Sequence, residues 1–250
     1  MPARTLALFI SDLHLQPVHP HTADAFLAFL SERAMAAQAL YLLGDLFEYW
    51  AGDDDLAASF HQWIVRAIRA VSDAGVAVYW IAGNRDFLIG ADFAAQAGLT
   101  LLAEPHVATL GGQRIALVHG DAECTDDTKY MAFRAQVRDP AWQAQFLAMP
   151  LEQRKHIIAG LREGSRAAHT TKSYEIMDVT AQAVADLFTS TATTILIHGH
   201  THRPALHDDG SRRRYVLPDW EVDAIPPRGG WIAIDSKGTI TRHDLDGHVI

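Results

Sequence analysis

Short apolar runs alternate along this chain with longer stretches in which apolar residues recur every three or four positions. Thr5 to Ile10, Ala39 to Leu43, Val76 to Ala82 and Arg114 to Val118 are near-continuous apolar runs of strand length, and they predict buried strands. Between them, Ala23 to Ala36 and Leu56 to Ala74 carry helical spacing, with Gly75 placed to stop the second helix. Strand and helix in alternation predict an α/β layered fold. Beyond residue 190 the texture changes. Thr194 to Ile197, Tyr215 to Leu217, Trp231 to Ile234 and Thr239 to Leu245 read as short strands separated by turn signals such as Asp209-Gly210 and Ser236-Lys237-Gly238. A second, more antiparallel sheet would accommodate them, giving two sheets packed face to face with helices outside.

Residues 129–172 fit neither half. Trp142, Phe146, Leu147, Met149, Leu151, Ile157, Ile158 and Leu161 have helix-compatible spacing, interrupted by Asp139-Pro140, Pro150 and Gly164, and predict several short helices inserted between strands. The insert also differs in charge: eight basic residues face three acidic ones, in a chain whose 21 basic and 30 acidic residues give a formal charge of -9. The insert is therefore a basic, apolar stretch in an otherwise acidic chain. A chain so acidic argues against a surface that tracks nucleic-acid phosphates throughout. With 250 residues, 49% of them apolar, the expectation is one domain with a core of its own. Cys124 is the single cysteine, so no intrachain disulfide can form; it is expected to be a buried small residue rather than a nucleophile. The apolar runs are too short to span a bilayer, and residues 1–20 lack the pattern of a signal peptide, so a cytoplasmic protein is expected.

The chemistry gathers where the strands end. Thr5 to Ile10 runs into Asp12-Leu13-His14, Ala39 to Leu43 into Gly44-Asp45, and Val76 to Ala82 into Gly83-Asn84-Arg85-Asp86. Arg114 to Val118 runs into His119-Gly120-Asp121, and Thr194 to Ile197 into His198-Gly199-His200-Thr201-His202. Ligands in α/β sheets bind beyond the carboxyl ends of strands, so five such clusters should meet in one place. Any one cluster alone reads as a turn or a helix cap. Asp, His and Asn together, without thiolates, suit manganese, magnesium, iron or zinc and argue against a structural zinc cluster. Seven of these donors, in the order Asp, His, Asp, Asn, His, His, His, are too many for one ion and suit two ions sharing a carboxylate. The other histidines, His19, His21, His61, His106, His156, His207, His243 and His248, are expected at the surface or in turns. Asp53-Asp54-Asp55 is expected to cap the helix beginning near Leu56, and Trp50, Trp80 and Trp231 to line core or pocket.

The series Asp12-x-His14, Gly44-Asp45, Gly83-Asn84, His119 and Gly199-His200-x-His202 resembles the calcineurin-like metallophosphoesterase superfamily over residues 5 to about 245. The resemblance implies an α/β double β-sheet sandwich flanked by helices, with Asp12, His14 and His202 holding one metal, Asn84, His119 and His200 the other, and Asp45 bridging them. Most of that superfamily follows Gly-Asn with His, whereas this chain has Arg85. In that departure the chain is similar to the UDP-2,3-diacylglucosamine pyrophosphohydrolases of lipid A and lipopolysaccharide biosynthesis. Gly44-Asp45-Leu46-Phe47-Glu48, Cys124-Thr125-Asp126-Asp127, Lys172-Ser173, Ile176-Met177-Asp178-Val179 and His198 to Pro204 add to the similarity.

This second resemblance implies hydrolysis at the α-phosphorus of a lipidated UDP-sugar by a water activated between two divalent ions, manganese foremost. The products would be UMP and 2,3-diacylglucosamine 1-phosphate (lipid X). It implies catalytic roles for Arg85 and His200 and substrate contacts from Asn84, Arg85, Asp127, Ser165, His169, Lys172 and His200. Position 169 is commonly Asn in that branch, and an imidazole cannot supply both hydrogen bonds of an amide in the same geometry. The insert would take the acyl chains, and the protein would touch the cytoplasmic face of the inner membrane peripherally. Another nucleotide pyrophosphate or phosphodiester remains the alternative substrate, and a noncatalytic metal-binding protein a third reading. Oligomeric state is left open.

Overall fold

The computed structural model describes residues 4–169 and 178–250, with backbone alone for 163–169. The first half builds β1 (Thr5–Ile10), α1 (Pro20–Glu32), β2 (Ala39–Leu42), α2 (Ser59–Asp73), β3 (Ala77–Ile81), α3 (Ala91–Ala97) and β4 (Leu99–Leu102). Next come β5 (His106–Leu110), β6 (Gln113–Leu117) and three helices in succession, α4 (Thr128–Val137), α5 (Pro140–Leu147) and α6 (Leu151–His169). The chain closes with α7 (Ala181–Thr191), β7 (Ile195–His198), β8 (Ala205–Asp208), β9 (Arg213–Val216), β10 (Trp231–Asp235) and β11 (Ile240–His243).

One sheet has the order β11-β10-β1-β2-β3-β4 and the other β5-β6-β7-β9-β8. In the first, β1 to β4 run parallel, and β10 joins β1 antiparallel. In the second, β6, β7 and β9 run parallel, with β5 and β8 antiparallel at the edges. The late strands therefore divide between the sheets instead of forming one of their own. Ile232 and Ile234 on β10 complete the inner face beside β1, which is what draws that strand back.

The continuous apolar runs are explained by burial on both faces. Ala7 and Phe9 of β1 point into the layer between the sheets, with Ile115 and Leu117 of β6 and Ile195 and Ile197 of β7. Leu8 and Ile10 face the opposite way, onto Phe26, Phe29, Ile64, Ile68 and Phe93 of the flanking helices. Ala116, Val118 and Leu196 repeat the pattern beyond the second sheet, against Leu187 and Phe188 of α7. At about 25 cal/mol per Å² of apolar surface, these three layers supply the main driving force for the fold.

Local rules fix most boundaries. Pro20 sits in the first turn of α1, which begins before the expected Ala23 and gives way after Glu32 to a short turn at Ala34–Ala36. Asp139 caps α5 by accepting the Trp142 N–H, with Pro140 next to it. Gly164, expected to interrupt, stays inside α6, because one glycine costs a long helix only about 1 kcal/mol. Asp53-Asp54-Asp55 lies in a short 3-10 turn and leaves α2 without a side-chain cap. Asp53 instead takes the N–H groups of Gly90 and Phe93, capping α3 from across the chain.

The three helices between β6 and α7 are anchored on the body. Phe146 is buried in the helix-side core, stacked on Trp142 at 4.9 Å, with Met149, Ile157 and Ile158 beside it. Arg154 is fully buried and donates to the carbonyls of Ala51 and Met149 and to Asp54.

Candidate metal centre

Five of the seven candidate ligands adopt a backbone conformation that L-residues rarely take. Asp12, His14, Asp45, His200 and His202 have φ values between 48° and 66°, and Ala192, which ends α7, is the only other described non-glycine residue with positive φ. Such conformations cost about 1–3 kcal/mol each and persist where the surroundings enforce them. Here the enforcement is visible. The N–H of Asp12 donates to Gly44 O, those of Leu13 and His14 to Asp45 O, and that of Gly199 to His119 O, so the strand-end turns are pinned to one another. Side chains are also excluded at two points of closest approach. A Cβ on Gly83 would lie 2.2 Å from Asp45 Oδ1, and one on Gly199 would lie 2.2 Å from Asp12 Oδ2.

These turns bring all seven expected ligands to one edge of the sandwich. Asp12 Oδ2 accepts from Ser11 Oγ at 2.5 Å and from the His200 N–H at 2.9 Å, while Oδ1 is buried without a hydrogen-bond partner among the described residues and faces His202 Nε2 at 3.6 Å. His14 Nε2 lies 3.4 Å from His202 Nε2, which completes a first group of donors. In the second group, Asn84 Oδ1 lies 3.0 Å from His119 Nε2 and 2.9 Å from His200 Nδ1. Asp45 stands between the groups, with Oδ1 3.7 Å from His119 Nε2 and Oδ2 3.8 Å from His14 Nε2. One carboxylate thus turns an oxygen to each group. A buried, unpartnered carboxylate oxygen among imidazoles, with Asn and Asp completing the set, fits a pair of borderline-to-hard divalent ions.

The electrostatics agree with that fit. Burial works against the charge of Asp12, yet His202, His119 and His14 hold its carboxyl below the usual carboxylate range. Burial likewise opposes a charge on His119, but Asp45, Asp12, Asp121 and Glu104 push its pKa up to about 9. His200 moves the other way, down to about 4, through burial and the neighbouring His119. His119 Nδ1 meets the Leu43 carbonyl at 2.8 Å, which sets the tautomer and leaves Nε2 for a ligand. His198 is buried, and Arg214 beside it adds to that burial in pushing its pKa down to about 3. Its two nitrogens are taken by Gly199 O and Arg214, which keeps it outside the donor set.

An outer layer of carboxylates was not assigned from the sequence. Asp86 collects the N–H groups of Asp45, Leu46 and Gly83, and burial with Asp45 alongside pushes its pKa up to about 6. Glu48 lies 2.9 Å from His14 Nδ1 and Asp219 lies 3.6 Å from His202 Nδ1. Burial alone would raise Glu48, but His14, Arg85 and Arg162 bring its pKa down to about 2. Asp121 accepts from Tyr130 Oη at 2.5 Å and from Arg134 Nε at 2.9 Å, and Tyr130 stacks on His200 at 6.2 Å. Glu48, Asp86 and Asp121 sit within or beside the strand-end motifs, where the sequence shows them as acids without showing what they contact. Asp219 and Tyr130 meet the ligands only through the fold.

The remaining candidates are placed as follows. Arg85 gives its backbone N–H to Asp45 Oδ1 at 2.8 Å, and its buried side-chain Nε has no hydrogen-bond partner among the described residues. Asp127 caps α4 through the Tyr130 N–H at 3.1 Å. Ser165 and His169 lie on the last turns of α6, where side chains are outside the described residues, and Lys172 is outside them altogether. Cys124 is buried as expected. Of the histidines expected at the surface or in turns, His61 packs tilted against Trp50 at 4.8 Å and His243 stacks on Trp231 at 5.2 Å.

The pattern of the calcineurin-like phosphoesterase family matches residues 6–204, and the chain belongs to that family. It is a metal-dependent hydrolase, of a family that works with a two-metal centre. Among curated relatives, the UDP-2,3-diacylglucosamine hydrolase of Chromohalobacter salexigens is 50% identical over 228 residues, covering 90% of each chain. The protein of the same name from Klebsiella pneumoniae is 48% identical over 239 residues, covering 96% of each. Of solved structures, vacuolar protein sorting 29 from Cryptosporidium parvum aligns with 99% of this chain and 95% of its own, with a TM-score of 0.50 at 13% identity, a likeness of fold.

Proposed function

We propose that this chain hydrolyses the pyrophosphate bond of UDP-2,3-diacylglucosamine at the α-phosphorus, giving UMP and 2,3-diacylglucosamine 1-phosphate for lipid A synthesis. The observation that carries the chemistry is Asp45, whose two oxygens face two separate donor groups. Relatives of that name at about half identity support the substrate. Asp12, His14 and His202 would hold one ion, Asn84, His119 and His200 the other, and Asp45 both, with manganese the ion proposed. Bound there, two ions would lower the pKa of water to supply a nucleophile and would neutralise phosphoryl charge.

The protein's own groups do the rest. Arg85 is aimed from the same turn that presents Asn84, and its planar fork suits the equatorial phosphoryl oxygens. Asn84 and His200 double as substrate contacts, joined by Asp127 at the start of α4 and by Ser165, His169 and Lys172 further along the insert. Residues 129–172 serve as the cap of a single-domain enzyme. Phe133, Leu147 and Leu161 leave apolar surface exposed there, among basic side chains that suit an anionic, acylated ligand. No helix among the described residues is long and apolar enough to cross a membrane. The acylated substrate is what supports a peripheral meeting with the cytoplasmic face of the inner membrane.

The test is release of UMP from the lipidated sugar nucleotide against its deacylated form, in the presence of manganese. A marked preference for the lipidated substrate is expected. Equal rates on both would point to another nucleotide pyrophosphate.

A further inference from the structure

The three imidazoles nearest Asp45 and Asp12 are braced differently. His119, deep in the site, is held by a backbone carbonyl, that of Leu43. His202 faces Asp219, which Arg228 holds at 2.9 Å from the loop before β10. His14 faces Glu48, and there the brace leaves the body of the protein. Glu48 Oε2 makes an ion-pair contact with His14 Nδ1 at 2.9 Å that is not aligned as a hydrogen bond, while Oε1 accepts from Arg162 on α6. The Arg162 guanidinium also covers the Tyr49 ring at 5.4 Å, and the Glu48 backbone N–H donates to Leu15 O at 3.3 Å, so both ends of the link are fixed. A chain of two contacts therefore runs from the helical insert to a candidate metal ligand.

We propose that Glu48 is a positioning residue for His14, and that Arg162 makes α6 an outer part of the metal centre by holding the second oxygen of Glu48. The proposal rests on the two-ion reading above. A carboxylate on the far nitrogen of a ligating imidazole orients the ring and raises its basicity. An arginine on that carboxylate holds it in one rotamer through a charge-assisted bond. Linkage then runs both ways: an ion at His14 steadies Glu48 and, through Arg162, the seating of α6, while a seated α6 tightens the ion. If the Arg162–Glu48 pair only pinned the insert, its loss would loosen α6 and leave ion affinity unchanged.

The experiment is manganese titration of the full chain without substrate, by calorimetry, for the wild type, Glu48→Gln, Arg162→Gln and the double variant. A wrong substrate assignment leaves this readout untouched, whereas failure of the wild type to bind two ions would overturn the two-ion reading itself. Glu48→Gln is expected to weaken one of the two sites by about 10–100-fold and spare the other. Arg162→Gln is expected to weaken the same site several-fold, to add nothing on top of Glu48→Gln, and to be partly rescued as Arg162→Lys. Unchanged affinity in Arg162→Gln, or losses that add in full, would overturn the proposal. Hydrogen exchange keeps the test independent of any one variant's fold: manganese should slow exchange in residues 151–169 of the wild type, and exchange there indifferent to manganese would also overturn it.

Discussion

The two halves of the ligand set are built on different principles. Asn84, His119 and His200 lie against the interior, with His119 fully buried and held by backbone, and with Asp86 tying the Gly44-Asp45 turn to the Gly83-Asn84 turn. His14 and His202 lie toward solvent, His202 with 41% of its side chain exposed, and are braced by carboxylates that arginines hold in turn. The inner half is a property of the sheet sandwich. The outer half draws on the insert and on the loop before β10. One half is positioned by the sandwich itself and the other through ion pairs that reach the insert and the loop before β10.

Asp45 joins the halves, so its loss should have the largest effect. Asp45→Ala is expected to lower turnover on the order of 1,000-fold or more, the scale of losing preorganised electrostatic stabilisation, and to reduce the bound metal to one ion or fewer by elemental analysis. Arg85→Ala should lower kcat by about 100- to 1,000-fold with two ions retained, because its side chain is not part of the donor set. Full activity in that variant would remove the role.

Stability should separate the halves next. Asp86→Ala leaves three N–H groups around the inner half without their acceptor, and a loss of about 2–5 kcal/mol is expected in urea unfolding. Asp219→Asn, in the outer half, should change unfolding little and weaken manganese binding by about tenfold. If the two variants behaved alike, the distinction would fail.

The smallest effect concerns Cys124, which sits behind the inner half with its thiol toward Gly120 O. Burial, followed by the nearby Asp121, pushes its pKa up to about 12. Because the folded thiol holds its proton more tightly than the unfolded one, it contributes nothing below about pH 9, and the folded state loses stability as pH rises from there toward 12. Labelling by a thiol reagent at pH 8 should be slow and should track global unfolding. Rapid labelling would mean that the inner half opens locally.

The same division governs what could be read from the sequence. The meeting of the seven candidate donors at one edge was legible, because each lies within a few residues of the carboxyl end of a strand with an apolar run. The edge strands β4, β5 and β8 were not, since they are only partly buried and carry no continuous apolar run. Nor was the return of β10 and β11 to the first sheet, which depends on long-range packing of Ile232 and Ile234 rather than on local pattern. Asp53 shows the limit in one residue: its spacing suggests a cap for the next helix in sequence, and the fold hands it to α3 instead. Glu48 and Asp219 could be seen as acids but not as braces, because what they brace is set by tertiary contact.

The proposed centre puts Asp45 between two ions. Anomalous diffraction from crystals of the full chain soaked in manganese tests it most directly. Two peaks roughly 3.5–4 Å apart, one on each side of the Asp45 carboxylate, are expected. A single peak, or a pair that Asp45 does not bridge, would contradict it.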